Sequence, residues 1–203
     1  MKTSKFAKVI AIMAFAFVAL TGCTRVETGE VGLRTGLDKQ VNLTELQPGS
    51  FNQTIIGSVD LFPVRDISFM IKDQTPQTKD NSRLKDFDAM VVYNIVPSAV
   101  GEIYTTKSRG FHLYDGHEIF LMYNYVEGIA QTAAAKAVRL HDAMKVADDR
   151  DAIEKEMTEL IKAALKEEKL DTSVIITQVK VRSVQPADEI VKSANNALTA
   201  AND

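Results

Sequence analysis

The residues best suited to acid–base or metal chemistry lie together in a short polar stretch. His112 and His117 flank Asp115, and Glu118 follows directly. Imidazole and carboxylate groups bind transition metals and transfer protons near neutral pH. The stretch has no His-Glu-x-x-His pattern and no cysteine partner, so we interpret it as solvated polar surface of a loop. The alternative is a ligand-binding or catalytic loop site near His112 and His117.

Two further charged groups have simple interpretations. His141 stands beside Asp142 on a predicted helix, where we expect its side chain to be exposed. The acidic run 148–151 could bind a cation. However, a helix N-terminus favours acidic residues through its dipole, and we interpret the run as the start of a helix, with Asp148 or Asp149 as the N-cap.

The glycines and serines form no recognisable catalytic motif. Gly29, Gly32 and Gly36 are not followed by the Gly-Lys-Ser/Thr of a phosphate-binding loop. The stretch 108–110, Ser-Arg-Gly, is not a nucleophile elbow. We therefore assign no catalytic, cofactor-binding or metal-binding residue and predict that the protein is not an enzyme.

The single cysteine, Cys23, follows a segment typical of export signals. Residues 1–22 carry three early lysines, then an apolar run from Val9 to Leu20, then small residues. This is the layout of a secretory signal peptide. The apolar run is short for a membrane-spanning helix, which needs about 20 residues. One cysteine also excludes an internal disulfide.

The residues around Cys23 resemble the bacterial lipobox, Leu-(Ala/Ser/Thr)-(Gly/Ala)-Cys. Here the motif is Leu20, Thr21, Gly22 and Cys23. The resemblance implies a diacylglyceryl group on the Cys23 thiol, cleavage before Cys23 and an N-acyl chain on the new terminus. Several acyl chains anchor a protein far more firmly than one. The alternatives are an uncleaved anchor and ordinary signal cleavage.

Such an anchor places the chain in the bacterial cell envelope, facing the periplasm. Asp after the lipidated cysteine favours inner-membrane retention, whereas Thr24 follows here and favours the outer membrane. The formal charge of −3 becomes −6 once the three lysines of the signal are removed. Because no basic patch stands out, the composition argues against nucleic acid as a partner.

The hydropathy pattern predicts an α+β fold. The first half is rich in Val, Ile, Thr and Gly and predicts strands. The clearest strand is 87–96, in which Phe87, Ala89, Val91, Tyr93 and Ile95 share one face and the other face is partly covered. Later residues predict two helices, a strand and a short last helix.

The helical half carries two apolar stripes. From Glu118 onward, apolar residues fall at steps of three and four: Met122, Val126, Ile129, Ala133, Ala137, Leu140 and Met144. The alanines at 133–137 indicate close packing on the sheet or, alternatively, a self-association surface. The next helix has its stripe at Ile153, Met157, Leu160, Ile161, Ala164 and Leu165. We then predict a strand over 174–184, with Ile175, Val179 and Val181 on one face, and a helix from Asp188 to Asn202.

This order of elements, together with six local motifs, resembles the SPFH domain (Band 7, prohibitin homology) of stomatins, prohibitins and flotillins. The motifs, in sequence order, are 29–36 with its glycines, Leu46-Gln47-Pro48-Gly49, Phe62-Pro63, Thr78-Lys79-Asp80-Asn81 with the strand 87–95, Arg150-Asp151-Ala152-Ile153, and the last strand with its Pro186. Together they cover about residues 26–192. Residues 82–86 fit the family pattern poorly.

The resemblance implies a scaffold or assembly module that associates with itself and with a lipid membrane, organising that membrane or regulating membrane-protein partners. The family usually carries a long coiled coil that drives ring-like oligomers, but only 17 residues follow Pro186 here. We assign 1–22 to a lipoprotein signal peptide, 23–28 to the anchor and linker, 29–187 to the SPFH/Band 7-like domain and 188–203 to a short C-terminal helix or tail. A small-ligand or catalytic lipoprotein, and an exclusion lipoprotein of a phage or mobile element, remain alternatives.

Overall fold

The computed structural model describes residues 23–49, 51–53, 57–116 and 118–202. Within these residues the chain forms ten strands and four α-helices. The strands are β1 (Cys23–Arg25), β2 (Glu30–Thr35), β3 (Val41–Leu46), β4 (Phe51–Gln53), β5 (Ser58–Pro63), β6 (Ile67–Ile71), β7 (Leu84–Ile95), β8 (Leu113–Asp115), β9 (Glu118–Phe120) and β10 (Val174–Pro186). The helices are α1 (Val100–Thr106), α2 (Tyr123–Val138), α3 (Arg150–Glu167) and α4 (Asp188–Asn202).

The strands form one larger sheet, one smaller sheet and a ribbon. The five-stranded sheet has the order β3-β2-β5-β9-β8, the three-stranded sheet has the order β10-β7-β6, and β1 pairs with β4. Only the β5–β9 pair is parallel among the described strands. This mixture of sheets and helices confirms the predicted α+β class.

Strand β7 is the centre of the three-stranded sheet, and its pattern is confirmed. The side chains of Phe87, Ala89, Val91, Tyr93 and Ile95 are fully buried, while those between them are half-buried. Because β7 pairs on both edges, its alternate residues point to the same side of the sheet and line the core. The Tyr93 hydroxyl is buried there and donates a hydrogen bond to the Leu121 carbonyl at 2.9 Å.

Strand β10 corrects one prediction. Ile175 is 40% exposed, although alternation groups it with Val179 and Val181. The pairing register shifts between Ile176 and Gln178, and such a bulge adds one residue and reverses which side chains face the core. Val174 and Ile176 therefore join Val179 and Val181 in the core.

The segment predicted as one helix from Glu118 to Met144 is shorter than its periodicity indicates. Residues 118–120 form strand β9, and helix α2 ends at Val138. Leu140 and Met144 lie beyond it in a turn region and are 59% and 49% exposed, so their place in the buried stripe is wrong. Met122, at the N-cap position, has a left-handed backbone with φ of 60°, which separates strand from helix.

Most alanines of α2 lie in the core of this chain, whereas Ala135 is exposed. Ala133, Ala134 and Ala137 are at most 3% exposed, and α2 packs against α3. Small side chains allow two helices to approach closely. These three alanines are therefore buried within the chain and are not available as a self-association surface, and the helix that carries them packs mainly on α3 and not, as predicted, on the sheet.

Helices α3 and α4 agree with the sequence analysis. Ile153, Met157, Ile161 and Leu165 are buried along one face of α3, and Asp149 occupies its N-cap position. Helix α4 spans the predicted Asp188–Asn202. It begins at a salt bridge between Lys85 and Asp188, with 2.9 Å between Nζ and Oδ2.

Candidate functional site

The proposed lipidation residue lies within the described part of the fold. Leu20, Thr21 and Gly22 lie outside the described residues. Cys23 is the first residue of β1 and pairs with Gln53 on β4. Val26 is 1% exposed, and its carbonyl accepts the Gly49 N–H at 3.0 Å. The segment 23–28, predicted to be the anchor and linker, therefore contains a strand and a core residue.

His112 is a buried structural residue, and its interpretation as solvated surface is wrong. Its side chain is in a residue only 3% exposed, and Nδ1 accepts the backbone N–H of Met122 at 3.1 Å. In the neutral ring the proton must then lie on Nε2, which is buried and has no hydrogen-bond partner among the described residues. Burial lowers the pKa of His112. His112 thus stays neutral and holds the start of α2.

The carboxylates near His112 do not converge on it. Asp115 is exposed at the end of β8, and Glu118 on β9 is 3.9 Å from the Arg65 guanidinium. His117 lies outside the described residues. A shallow pocket of about 270 Å³ lies nearby and is lined by Tyr104, Lys107, Arg109 and Tyr114. Across the described part of the chain, no group of three or more His, Cys, Asp or Glu side chains is arranged to hold a metal ion.

His141 is the centre of a polar cluster that the sequence pattern does not predict. Its side chain is 12% exposed, so the expectation of an exposed residue is wrong. Nδ1 lies 2.8 Å from Asp149 Oδ2 and Nε2 lies 3.0 Å from Glu156 Oε2. Both ring nitrogens donate only in the protonated form. Burial opposes that form, but the two carboxylates outweigh it and raise the pKa of His141.

The polar turn at 78–81 is hydrogen-bonded to the segment around His141. The backbone N–H of Lys79 donates to the His141 carbonyl at 2.9 Å, and the N–H of Ala143 donates to Asp80 at 3.4 Å. Thr78 is fully buried and donates its hydroxyl to Asp80. This hydrogen bond is the main cause that lowers the pKa of Asp80. The Thr-Lys-Asp-Asn motif therefore attaches the β6–β7 connection to the α2–α3 connection.

Glu154 makes a second link, between α3 and β10. Its side chain is 11% exposed. Oε1 accepts the backbone N–H of Val181 at 2.9 Å, and Oε2 lies 2.8 Å from Lys180 Nζ. A carboxylate that satisfies a strand N–H blocks that position from pairing with another strand. Glu154 thus covers part of the edge of the three-stranded sheet.

At the other end of β10, no described strand pairs with its outer edge. A groove of about 500 Å³ lies between the last turns of α3 and the start of β10. It is lined by the apolar residues Leu165, Val174, Ile175 and Ile176 and by the charged residues Glu159, Lys162, Lys166 and Asp171. Exposed Ile175 and a strand edge make this groove a candidate contact surface for another protein.

The family comparison agrees with this arrangement. The family model described as SPFH domain / Band 7 family matches residues 24–203. The chain belongs to the SPFH/Band 7 family. The resemblance found in the sequence motifs is thereby confirmed. The comparison with curated proteins gives no match.

Membership of the SPFH/Band 7 family sets the general role of the chain. The family consists in general of membrane-associated scaffold or regulatory proteins, which are generally not enzymes. Its members typically associate with membranes and oligomerise. In the part of this SPFH/Band 7 protein that the structure describes, no helix combines the length and the apolar character needed to cross a bilayer.

Proposed function

We propose that this SPFH/Band 7 protein is a lipid-anchored scaffold of the bacterial cell envelope. Cys23 carries a diacylglyceryl group on its thiol and an acyl chain on its amino terminus. The observation that carries the proposal is the position of Cys23. The lipobox ends one residue before the family match begins at Thr24. Cleavage before Cys23 would therefore remove the signal and leave the whole matched domain on the lipid.

The charge of the mature chain supports a covalent anchor. Without its signal the chain carries a formal charge of −6, so anionic lipids repel the domain and do not recruit it. Acyl chains supply the membrane affinity that charge does not, at about 0.8 kcal/mol for each buried CH₂.

Thr24, the residue after the lipidated cysteine, favours the outer membrane, with the domain facing the periplasm.

The described surfaces support a scaffold over an enzyme. Nδ1 of His112 already accepts the backbone N–H of Met122, and Asp115 is exposed at the end of β8. The open groove beside β10 offers apolar and charged groups to a protein partner, a membrane protein or a second copy. A ligand-binding or catalytic role would need polar groups that converge in a concave site, and His112 and Asp115 do not converge.

Intact mass tests the anchor. The wild-type protein and Cys23→Ser are purified from detergent-solubilised membranes and weighed by mass spectrometry. We expect the wild-type mass to equal residues 23–203 plus two or three acyl chains. Cys23→Ser should show no acylated product, because the hydroxyl does not replace the thiol nucleophile.

Cys23 is the only cysteine of the chain, so the substitution removes every thiol at once. A full-length, unmodified wild-type mass would reject the lipid anchor and make 9–20 an uncleaved anchor. A mass of residues 23–203 without lipid would instead indicate ordinary signal cleavage. Either result would leave the family assignment intact and remove the proposed mode of attachment.

A further inference from the structure

A shallow pocket beside β8, the last strand of the five-stranded sheet, concentrates positive charge. We call it the β8 pocket; its volume is about 270 Å³. Its lining residues are Tyr104, Lys107, Arg109 and Tyr114, which include two cations and no carboxylate. His112 and Asp115 do not line it. Because the chain as a whole is acidic, a pocket lined by cations alone among its charged groups suits an anionic ligand.

Arg109 is held in place without having its charge neutralised. Its guanidinium lies over the Tyr114 ring, 4.9 Å from the ring centroid. Among the described residues, no carboxylate forms an ion pair with Arg109. A guanidinium that stacks on an aromatic ring keeps the N–H donors of its planar fork available at its edge. Arg109 can therefore donate these groups to a ligand.

Lys107 is positioned by the C-terminal end of α3. Its Nζ donates to the Glu168 carbonyl at 3.2 Å and lies 3.4 Å from Glu168 Oε2. The side chain of Lys107 is 23% exposed and that of Glu168 is 52% exposed. A long ion pair with an exposed carboxylate contributes little to stability. A more highly charged anion can therefore displace the Glu168 carboxylate from Lys107.

The two tyrosines of the pocket add neutral donors. Neither hydroxyl forms a hydrogen bond with another residue in the described part of the chain. The Tyr104 ring is fixed by an edge contact with Phe62, at 4.8 Å between ring centroids. Burial is the main cause that raises the pKa of Tyr104, and the Asp60 carboxylate adds to the effect. The Tyr104 hydroxyl therefore keeps its proton and can donate it.

We propose that the β8 pocket binds a phosphate monoester. Its lining side chains supply N–H and O–H donors together with two positive charges. A phosphate monoester carries a charge of about −1.5 to −2 at pH 7 and three strong acceptor oxygens. It therefore matches both cations, whereas a carboxylate carries one charge. The monoester belongs to a small soluble molecule or to a lipid headgroup, which the same donors recognise. This site goes beyond the proposed function and does not depend on the acylation of Cys23.

The small number of tyrosines makes a direct test possible. The chain has five tyrosines, and labelling with fluorotyrosine gives each of them a fluorine NMR signal. The full chain is purified in a non-ionic detergent and titrated with inorganic phosphate at pH 7.5 and constant ionic strength. Tyr104→Phe and Tyr114→Phe assign the two pocket signals. The other tyrosine signals report whether the fold is intact in every variant.

We expect the two pocket signals to shift and saturate as phosphate is added, while the other tyrosine signals stay in place. Arg109→Gln should weaken the affinity about tenfold, because it removes a charge-assisted donor. Glu168→Gln should strengthen the affinity about threefold, since Lys107 then has no competing carboxylate. Arg139→Gln is the matched control, because it removes the same charge from an exposed side chain outside the pocket. Its affinity should equal that of the wild type.

Two further titrations identify the source of the phosphate. Glycerol phosphate presents the monoester on a small soluble molecule, and phosphatidic acid in the detergent micelles presents the same group on a lipid. Saturable shifts with glycerol phosphate alone assign the pocket to a soluble ligand. Shifts of the same two signals at low fractions of phosphatidic acid assign it to a headgroup. Either result supports the proposed site.

Three results would overturn the inference. Pocket signals that do not saturate, or that move as far with sodium chloride as with phosphate, would show a general effect of salt. An equal loss of affinity in Arg139→Gln and Arg109→Gln would show that net charge, and not the pocket, attracts the anion. Acetate that binds as tightly as phosphate would show that one charge is enough, and the assignment to a phosphate monoester would be wrong.

Discussion

The two described histidines occupy opposite environments. His112 is buried among apolar groups and accepts one backbone N–H, and its pKa is lowered by burial. His141 faces two carboxylates, and its pKa is raised despite burial. Both follow a turn or helix end and both have acids nearby in the sequence. The comparison teaches that the charge state of a histidine depends on what reaches its two nitrogens.

The two histidines also join secondary-structure elements in different ways. His112 connects β8 to the start of α2 as a neutral group within the core. His141 joins the α2–α3 connection to α3 through hydrogen bonds to Asp149 and Glu156 near the surface. A buried neutral acceptor resists replacement more strongly than a partly exposed ion pair.

The largest expected effect comes from His112→Ala. The substitution leaves the Met122 N–H without its acceptor and opens a cavity, so we expect the free energy of unfolding to fall by about 2–3 kcal/mol. Urea unfolding of the purified protein at pH 7.5 measures the change. His112→Asn, whose amide oxygen can accept the same N–H, should recover part of the loss. A change within about 0.5 kcal/mol for His112→Ala would show that the hydrogen bond does not support α2.

A smaller effect is expected from His141→Ala. The substitution removes two charge-assisted hydrogen bonds at a partly exposed site, which costs about 1–2 kcal/mol below pH 6.5. Urea unfolding at pH 6 gives the value. Asp142→Asn is the matched control, because Asp142 adjoins His141 in sequence but its side chain is not bonded to that ring. If Asp142→Asn lowers the free energy of unfolding as much as His141→Ala does, the hydrogen bonds of His141 to Asp149 and Glu156 do not stabilise the fold.

The smallest expected effect is the pH dependence of the free energy of unfolding, which has opposite signs for the two histidines. The folded pKa of His112 lies below its ordinary 6.5. Its contribution is therefore full above about pH 6.5 and is lost as the pH falls through the lowered pKa. The folded pKa of His141 lies above 6.5. Its contribution is therefore full below about pH 6.5 and is lost as the pH rises through the raised pKa.

Titration of the two imidazole rings by NMR checks these signs directly, with His112→Asn and His141→Ala used to assign the signals. Unfolding measured from pH 5 to pH 9 should show the cost of His141→Ala shrinking as the pH rises. The cost of His112→Ala should grow over the same interval. Parallel pH dependences for both variants would contradict the contrast between the two sites.

The regular parts of the fold could be predicted because they rest on local periodicity. The buried face of β7 repeats every second residue, and the buried face of α3 repeats at three and four. The family motifs belong to the same class of signal, since each is a short run of residues. The short strands β3, β8 and β9 and helix α1 were missed, because segments of three to seven residues carry too few positions to show a period.

The charged contacts could not be predicted in the same way. Glu154 and Val181 are 27 residues apart, and His141 and Glu156 are 15 apart. No local period relates such positions, and a side-chain hydrogen bond requires placement to within a fraction of an ångström. The bulge at Thr177, which turns Ile175 outward, is likewise set by pairing with β7.

The sequence by itself determined the α+β class, the alternation of β7, the stripe of α3, the span of α4 and the family. It also predicts the Cys23 anchor, which stays a prediction. Only the tertiary structure decided that Cys23 lies in β1, that His112 is buried and that His141 is hydrogen-bonded by two acids. The physical reason is range. Backbone periodicity is written in neighbouring residues, whereas burial and charge pairing depend on which distant segments the folded chain brings within a few ångströms.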